Sequence, residues 1–566
     1  MLFQVILRGQ EIYLVNEECG KEGLDSGSYA QDVADAVNVR EQEIVTNFSH
    51  NRPDGRSCFT ALDLCEGLTT RKKKEGYTMK HSKNLHINQW LGYTLLAIYA
   101  VVASGMIYYC IKLNMFPAIY LVVIAVVLSI LGVVFFLMHK RLGTSIAASI
   151  LTVISIVVCM VGTFYIFRTN HTLAEITTAD TQLDIVSVYV MDDDPAEVLE
   201  DIKGYKIGIL ESTDRENTDK TIDDLEDSLD FVLDTIEYEN LFTMMTDLKK
   251  QEIQAIIINN AYVGIAADVE EYNWVSTDIR KITEVMHEIE IVADDKLPVD
   301  MPETFVMYLS GIDTYGGISA RSRSDVNILA VVNTKTKNVL LLSTPRDSYV
   351  DFSVTGGAKD KLTHAGIYGV EASIDALERL YGIHVDYYLR VNFTGFIEII
   401  DALGGVEVYS DYDFSVRNIR SYQKGMNQLT GLEALAFARE RYSFPEGDFQ
   451  RAKNQMEVIR AVIQKCASSS MLVNYTSVMN AVAGSFETNM PNDQIAALVK
   501  MQLSDMAQWN VTSYTTDGHS RYAQTYSMPG TDLYVIDLDP ASIEEAKRLI
   551  QEIYNTETQN PEVRVE

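Results

Sequence analysis

The chain is short of basic charge. Its 566 residues hold 47 Lys and Arg against 79 Asp and Glu, a formal net charge of −32. A nucleic-acid-binding surface needs a basic stripe, so partners of that class are excluded. Cysteine is scarcer still, with six: Cys19, Cys58, Cys65, Cys110, Cys159 and Cys466. Cys110 and Cys159 sit in apolar runs, and only Cys466 falls in the long polar C-terminal part. No disulfide framework is possible there, and no zinc spacing appears. A domain of that size can fold on its core alone. Residues 1–78 show no signal-peptide pattern and no clear periodicity. They read as a disordered cytoplasmic tail, or as sequence upstream of a true start at Met79.

What the chain does have is apolar length. Residues 90–111, 118–138 and 145–167 contain no charged side chain. Each reaches the roughly 20 residues a helix needs to cross a hydrocarbon core of about 30 Å. Arg71-Lys72-Lys73-Lys74, Lys80 and Lys83 precede the first run, and His139-Lys140-Arg141 follow the second. The first loop carries only Lys112. The positive-inside rule then places 1–89 and the second loop in the cytoplasm, and everything after the 90–168 membrane segment outside.

Residues 181–290 read as a small α/β unit. "LDIVSVYVM", "YKIGIL", "TIEYE" and "IQAIIIN" are strand-like, and 222–233 and 241–250 have helical spacing. That alternation predicts a parallel sheet covered on both faces. The unit has no Gly-rich phosphate loop and no titratable cluster, which favours a structural or partner-binding module. A polar linker with two prolines, 294–303, leads into a second unit at 304–556. There strands at 325–333 and 338–344, joined by "TKTK", predict a hairpin. Strands and helices interleave beyond it as an α-β-α layering. Thr430-Gly431-Leu432-Glu433 is a capping box, and Asp448 reads as the N-cap of a further helix.

Polar residues gather at the ends of these strands. Asp313 follows the first, Arg323-Ser324-Asp325 precede the second, and Arg346-Asp347 follow the third. If the first strand runs parallel to the third, these groups share one edge. Lys361, Arg439, Arg441, Arg451 and Gln455 stand further along, with Arg451 and Gln455 on one helix face. Arginines in an acidic domain suit phosphate oxygens, which they grip bidentately. Paired aspartates suit Mg²⁺, which binds together with substrate phosphates. Together they describe a site for a metal-bound pyrophosphate and for phosphoryl transfer.

The stretches "SGIDTYGGISARSRSDVNILAVVN", "LLSTPRDSYV", "KDKLTHAGIYGVEASIDALERLYGI", "VNFTGFIEIIDALGGVEV", "GLEALAFARERY" and "GDFQRAKNQ" resemble the LytR–CpsA–Psr (LCP) family of cell-wall glycopolymer transferases. The resemblance covers about 304–556. The whole arrangement is similar to the capsule-linked branch. It implies an α/β, membrane-anchored protein with three N-terminal transmembrane helices, a small α/β accessory domain and a larger α-β-α LCP-type catalytic domain. It implies transfer of a glycopolymer, capsular or teichoic-acid type, from a polyprenyl-pyrophosphate carrier to peptidoglycan through a phosphodiester, with Mg²⁺ (or Mn²⁺), at the outer face of a bacterial cell membrane. By the same resemblance Asp313 and Asp325 are metal ligands. Arg323, Arg346, Arg439, Arg441 and Arg451 bind pyrophosphate, with Lys361, Asp448 and Gln455 around it. Arg323, Arg346 and Asp347 are the catalytic set, although Asp347 could instead orient Arg346. Relatives with an arginine near the first aspartate have no match here, unless Arg321 supplies it. The lipid would lie in an apolar tunnel. Leu380, Tyr387, Ile397, Ile400, Leu435 and Ile459 are candidate lining, and each alone is better read as core. The alternatives are hydrolysis of polyprenyl pyrophosphate and a non-enzymatic regulator of envelope synthesis.

Overall fold

Backbone amides in hydrocarbon find no water, so apolar runs fold as helices that satisfy themselves. The computed structural model describes residues 3–8, 11–16, 90–141, 144–177, 181–290, 297–298, 300–312, 319–468, 477–478, 481 and 484–556. Strands Phe3–Arg8 and Glu11–Asn16 form an antiparallel hairpin. The remainder of the 1–89 segment and residues 294–296 and 299 of the linker lie outside the described residues.

The three apolar runs are helices: α1 (Trp90–Leu113), α2 (Ala118–Lys140) and α3 (Ser145–Thr177), with mean hydropathies of 1.9, 3.2 and 2.5 over their candidate spans. They turn large apolar side chains outward, such as Val101 at 73% exposure and Ile119 at 67%. Such a surface is stable only against lipid, so these helices anchor the protein in a membrane. The α1–α2 connection packs on the later part of the chain. Leu113 and Met115 share an apolar cluster with Leu403, Val478 and Ala496. Lys500 Nζ donates to Asn114 Oδ1 at 3.0 Å.

Residues 181–290 form a five-stranded sheet: β1 (Thr181–Met191), β2 (Lys206–Leu210), β3 (Asp234–Tyr238), β4 (Ala255–Asn259) and β5 (Ile279–Glu290). The order is β3-β2-β4-β1-β5. Only β3, β2 and β4 are parallel, while β1 runs antiparallel to both β4 and β5. The expected parallel sheet is therefore mixed. β1 alone breaks the parallel set by running against β4, and β5, whose alternating residues 279–290 give no continuous apolar run and escaped the sequence reading, adds a second antiparallel pair. Helices α4 (Arg215–Ser228), α5 (Leu241–Lys249) and α6 (Asn260–Ala267) cover the sheet. The expected helix at 222–233 begins seven residues earlier, at Arg215, and ends at Ser228. All five residues of β4 are buried, as a strand covered on both faces must be. One face packs Val186, Val188, Ile207, Ile209 and Leu225. The other gathers Met244, Met245, Ile256, Ile258 and Ile265, and continues into Ile367, Met528 and Leu533 of the next unit.

That next unit is built on six strands: β6 (Thr304–Ile312), β7 (Ser324–Asn333), β8 (Asn338–Ser343), β9 (Tyr387–Val391), β10 (Phe486–Thr488) and β11 (Asn510–Thr515). The order is β10-β9-β6-β7-β8-β11. The β7–β8 hairpin is antiparallel as expected, and β6 is antiparallel to β7 from its other side. Hence β6 and β8 run parallel and end at the same edge. Helices α7 (Val370–Tyr381), α8 (Phe393–Ala402), α9 (Gly431–Arg439), α10 (Asp448–Cys466), α11 (Asn492–Asp505) and α12 (Pro540–Asn555) complete the unit. Val306, Leu329, Leu340 and Leu342 face α7 and α12 through Ala376, Leu377, Ala546 and Ile550. Ile328, Ala330, Leu341 and Met456 pack the opposite face against α10. The layering is α-β-α. Of the candidate tunnel residues, Leu380, Tyr387, Ile400 and Ile459 fall in four separate clusters, as core residues do.

Candidate functional site

The strand register builds the site. Ile312 pairs with Ser324, and Ser343 with Ile328. The ends of β6 and β8 thus flank the start of β7, the one geometry that brings Arg323, Asp325, Arg346 and Asp347 to a common edge. The turn after β8 is then pinned by backbone. Thr344 N–H donates to the Asn327 carbonyl (3.0 Å), Thr363 N–H to that of Arg346 (2.8 Å) and Ile536 N–H to that of Asp347 (2.8 Å). The turn thus presents a cation and an anion side by side while its peptide groups stay paired.

Arg346 is the hub. Its Nη1 donates to Asp325 Oδ1 at 2.8 Å and its Nη2 to Asp268 Oδ2 at 3.0 Å. Its Nε is buried, stands 3.7 Å from Asp347 Oδ2 and makes no hydrogen bond among the described residues. Lys361 Nζ donates to Asp347 Oδ1 at 3.0 Å, and Thr363 Oγ1 to Asp325 Oδ1 at 3.2 Å. Arg323 is buried and pairs with Asp268. From α10, Arg451 Nη2 lies 3.4 Å from Asp448 Oδ1, and Arg441 Nη1 lies 3.8 Å from the same oxygen. Asp325, Arg346, Asp347, Asp448, Arg451 and Gln455 line one small pocket.

Burial alone would raise the Asp325 carboxyl, but Arg346, Arg323 and Arg451 outweigh it and hold that group below the usual carboxylate range. Burial opposes ionisation of Asp347 too, and Lys361 and Arg346 again prevail, lowering it. On Arg451 burial presses the guanidinium down, with Asp448 opposing and the cations of Arg346 and Arg441 adding to the descent. The site holds cations crowded enough to feel one another, in a place where an anion is the natural relief.

The structure brings together Arg323, Asp325, Arg346, Asp347, Lys361, Arg441, Asp448, Arg451 and Gln455 of the candidates. Arg439 ends α9 exposed, its guanidinium 4.2 Å from the Phe393 ring centroid, and is not part of the pocket lining. Gln455 touches the pocket and also ties α10 to α9, donating to the Ala438 carbonyl at 3.3 Å. Asp313 lies outside the described residues. Asp448 is not an N-cap: Gly447, with φ of 56°, precedes the helix, and Asp448 is its first residue. Arg321 does not supply a further phosphate grip. It is spent on the accessory strand, donating to Gln182 Oε1 at 3.0 Å beside Asp184 at 3.5 Å. Asp268 and Thr363 were not legible in advance. Among the described residues no three or more His, Cys, Asp or Glu side chains converge as a metal-binding group.

Residues 272–537 match the LytR_cpsA_psr family. The chain is 35% identical to the polyisoprenyl-teichoic acid–peptidoglycan teichoic acid transferase TagU of Bacillus cereus, over 40% of this chain and 73% of that protein. It is 32% identical to the TagU of Enterococcus faecalis, over 44% of this chain and 82% of that protein. Among solved structures, B. subtilis TagV is 27% identical with a TM-score of 0.38, covering 45% of this chain and 98% of that one.

Proposed function

The chain belongs to the LytR–CpsA–Psr family, and we propose that it is a membrane-anchored transferase that moves a glycopolymer from a polyprenyl-pyrophosphate carrier to peptidoglycan. The observation that carries this reading is the cluster of guanidiniums from Arg323, Arg346 and Arg451 around Asp325, all largely withdrawn from solvent, with the Arg346 Nε making no hydrogen bond among the described residues. Guanidiniums grip phosphate oxygens in pairs, and such bonds strengthen as charge develops on the leaving phosphate. A sugar hydroxyl of the acceptor attacks the phosphorus that bears the glycan. The bond from that phosphorus to the bridging oxygen breaks, polyprenyl phosphate leaves with the electron pair, and the hydroxyl proton is released. Arg323, Arg346 and Arg451 hold the diphosphate, and Asp347 orients Arg346 and Lys361. The relatives' names point to a teichoic-acid-type donor.

Asp325, held ionised by the surrounding guanidiniums, is a hard oxygen donor of the kind Mg²⁺ takes in ones and twos beside substrate phosphates, and in this reading it would hold that ion together with Asp313. When bound, Mg²⁺ supplies further neutralisation of the diphosphate charge. The catalytic unit lies outside the cell in this reading. Support comes from the basic second loop, and from the packing of the α1–α2 connection on the same unit that carries the site.

The test is Arg346→Ala in the full chain, assayed with a polyprenyl-pyrophosphate-linked glycan and peptidoglycan. Two lost charge-assisted bonds of roughly 1.5 kcal/mol each predict about a 100-fold fall in transfer. Transfer at the parent rate would reject the assignment.

A further inference from the structure

The two folded units outside the membrane helices do more than lie next to each other. They share an apolar cluster in which Ile256, Ile258 and Ile265 meet Ile367, Met528 and Leu533. Strand β1 also reaches across. Leu183 N–H donates to the Ser319 carbonyl at 2.9 Å, and Arg321 N–H returns a bond to the Leu183 carbonyl at 2.8 Å. Arg321 then closes the clasp on Gln182 and Asp184. The segment gripped in this way, 319–321, leads directly into Arg323.

Helix α6 meets the same arginine. Gly264 sits so near it that an added Cβ would stand 3.0 Å from Arg323 Nη2 and 3.1 Å from its Nε. One turn later Asp268 ends the helix and takes a bond from both Arg323 and Arg346 on a single oxygen, Oδ2. A Cβ at 264 would press on the Arg323 guanidinium and require it to give by a few tenths of an ångström. The two arginine side chains are only 5% and 9% exposed, whereas Asp268 is 38% exposed. A rim carboxylate is therefore bridging two buried cations.

We infer that the accessory unit completes the donor site, with Asp268 as a positioning residue that fixes Arg323 and Arg346 relative to one another. The inference rests on the diphosphate reading of that site. Two guanidiniums side by side repel, and left alone they would splay. One shared oxygen sets their separation and offsets part of their charge. Asp325 holds Arg346 by a second nitrogen, so the side chain is clamped through Nη1 and Nη2, with Nε turned toward Asp347 at 3.7 Å. A guanidinium carries five N–H donors, so this clamp leaves capacity for phosphate. Asp268 also lies before the 272–537 family match, and so is a contribution from the accessory unit.

The experiment measures binding of farnesyl pyrophosphate to the purified full chain in detergent by calorimetry, for the parent, Asp268→Ala, Asp268→Glu and Arg346→Ala. Transfer kinetics are run alongside. Asp268→Ala is expected to weaken binding about 10-fold and to raise the donor KM by a similar factor, with kcat changing less and the melting temperature unmoved. Asp268→Glu is expected to restore at least half of the lost affinity. Unchanged or tighter binding in Asp268→Ala overturns the inference, the second outcome marking Asp268 as a competitor of phosphate. Failure of Asp268→Glu to restore binding also overturns it. If Arg346→Ala binds as the parent does, the diphosphate site itself is wrong, which separates the two failures.

Discussion

Asp214 and Asp325 are both half-buried carboxyls, and their surroundings send them in opposite directions. Asp325 is lowered because cations outweigh its burial. Asp214 accepts from Asn259 at 2.8 Å and Asn217 at 2.7 Å, yet burial leads and the nearby Asp184 adds to it, raising it from 3.8 to about 6. A folded-state value above the unfolded one means the folded chain binds the extra proton between about pH 4 and 6. Stability from Asp214 is full below pH 4 and is lost as pH rises through 6. Asp214→Asn should therefore raise the melting temperature at pH 7 and flatten its fall between pH 4.5 and 7. Matching melting profiles in parent and variant would refute this. For Asp325 and Asp347 the sign reverses, and their contribution is lost on acidification. The candidate arginines and aspartates were legible as residues because they sit at strand ends in a chain otherwise poor in cations. Their individual environments were not, because burial and partners come from other elements.

Helices and strands followed their local patterns closely. The capping box at Thr430 and Glu433 forms as its spacing predicts, with Thr430 N–H donating to Glu433 Oε2 at 2.9 Å. Helix α7 spans Val370–Tyr381, stopped by Gly382 in the left-handed region with φ of 66°. Helix α6 was missed because its eight residues merge with the apolar run of β4. Glycine within α8 shows what a pattern conceals. Gly395 reads as a weak helix former, but an added Cβ would stand 1.9 Å from the Ser485 carbonyl oxygen. Since backbone would have to move, Gly395→Ala should cost about 1–3 kcal/mol despite its better helix propensity. Thermal unfolding should show a Tm lower by a few degrees, and a rise would contradict the close approach.

At the level of the molecule, orientation rests on two separate arguments. Positive charge in the second loop sets α2 and α3 by the loop rule. Contacts of Leu113, Met115 and Asn114 place the first loop on the side of the catalytic unit. Together they support the proposal that the accessory unit lies outside the cell. Val232, at 79% exposure, gives a site to check this away from the arginine cluster. Val232→Cys should gain labelling by a membrane-impermeant maleimide on intact cells relative to the parent chain. A gain seen only after lysis would reverse the topology.

The sequence by itself determined the spans, the two α/β units, most strand and helix positions and the family, since each depends on a short period or a contiguous motif. Only the tertiary structure decided that Asp268, 55 residues before Arg323, closes on that arginine and on Arg346, and that Arg321 turns to the accessory strand instead. These pairings depend on how two sheets dock through a shared apolar face, and side chains brought together by docking leave no periodic trace along the chain.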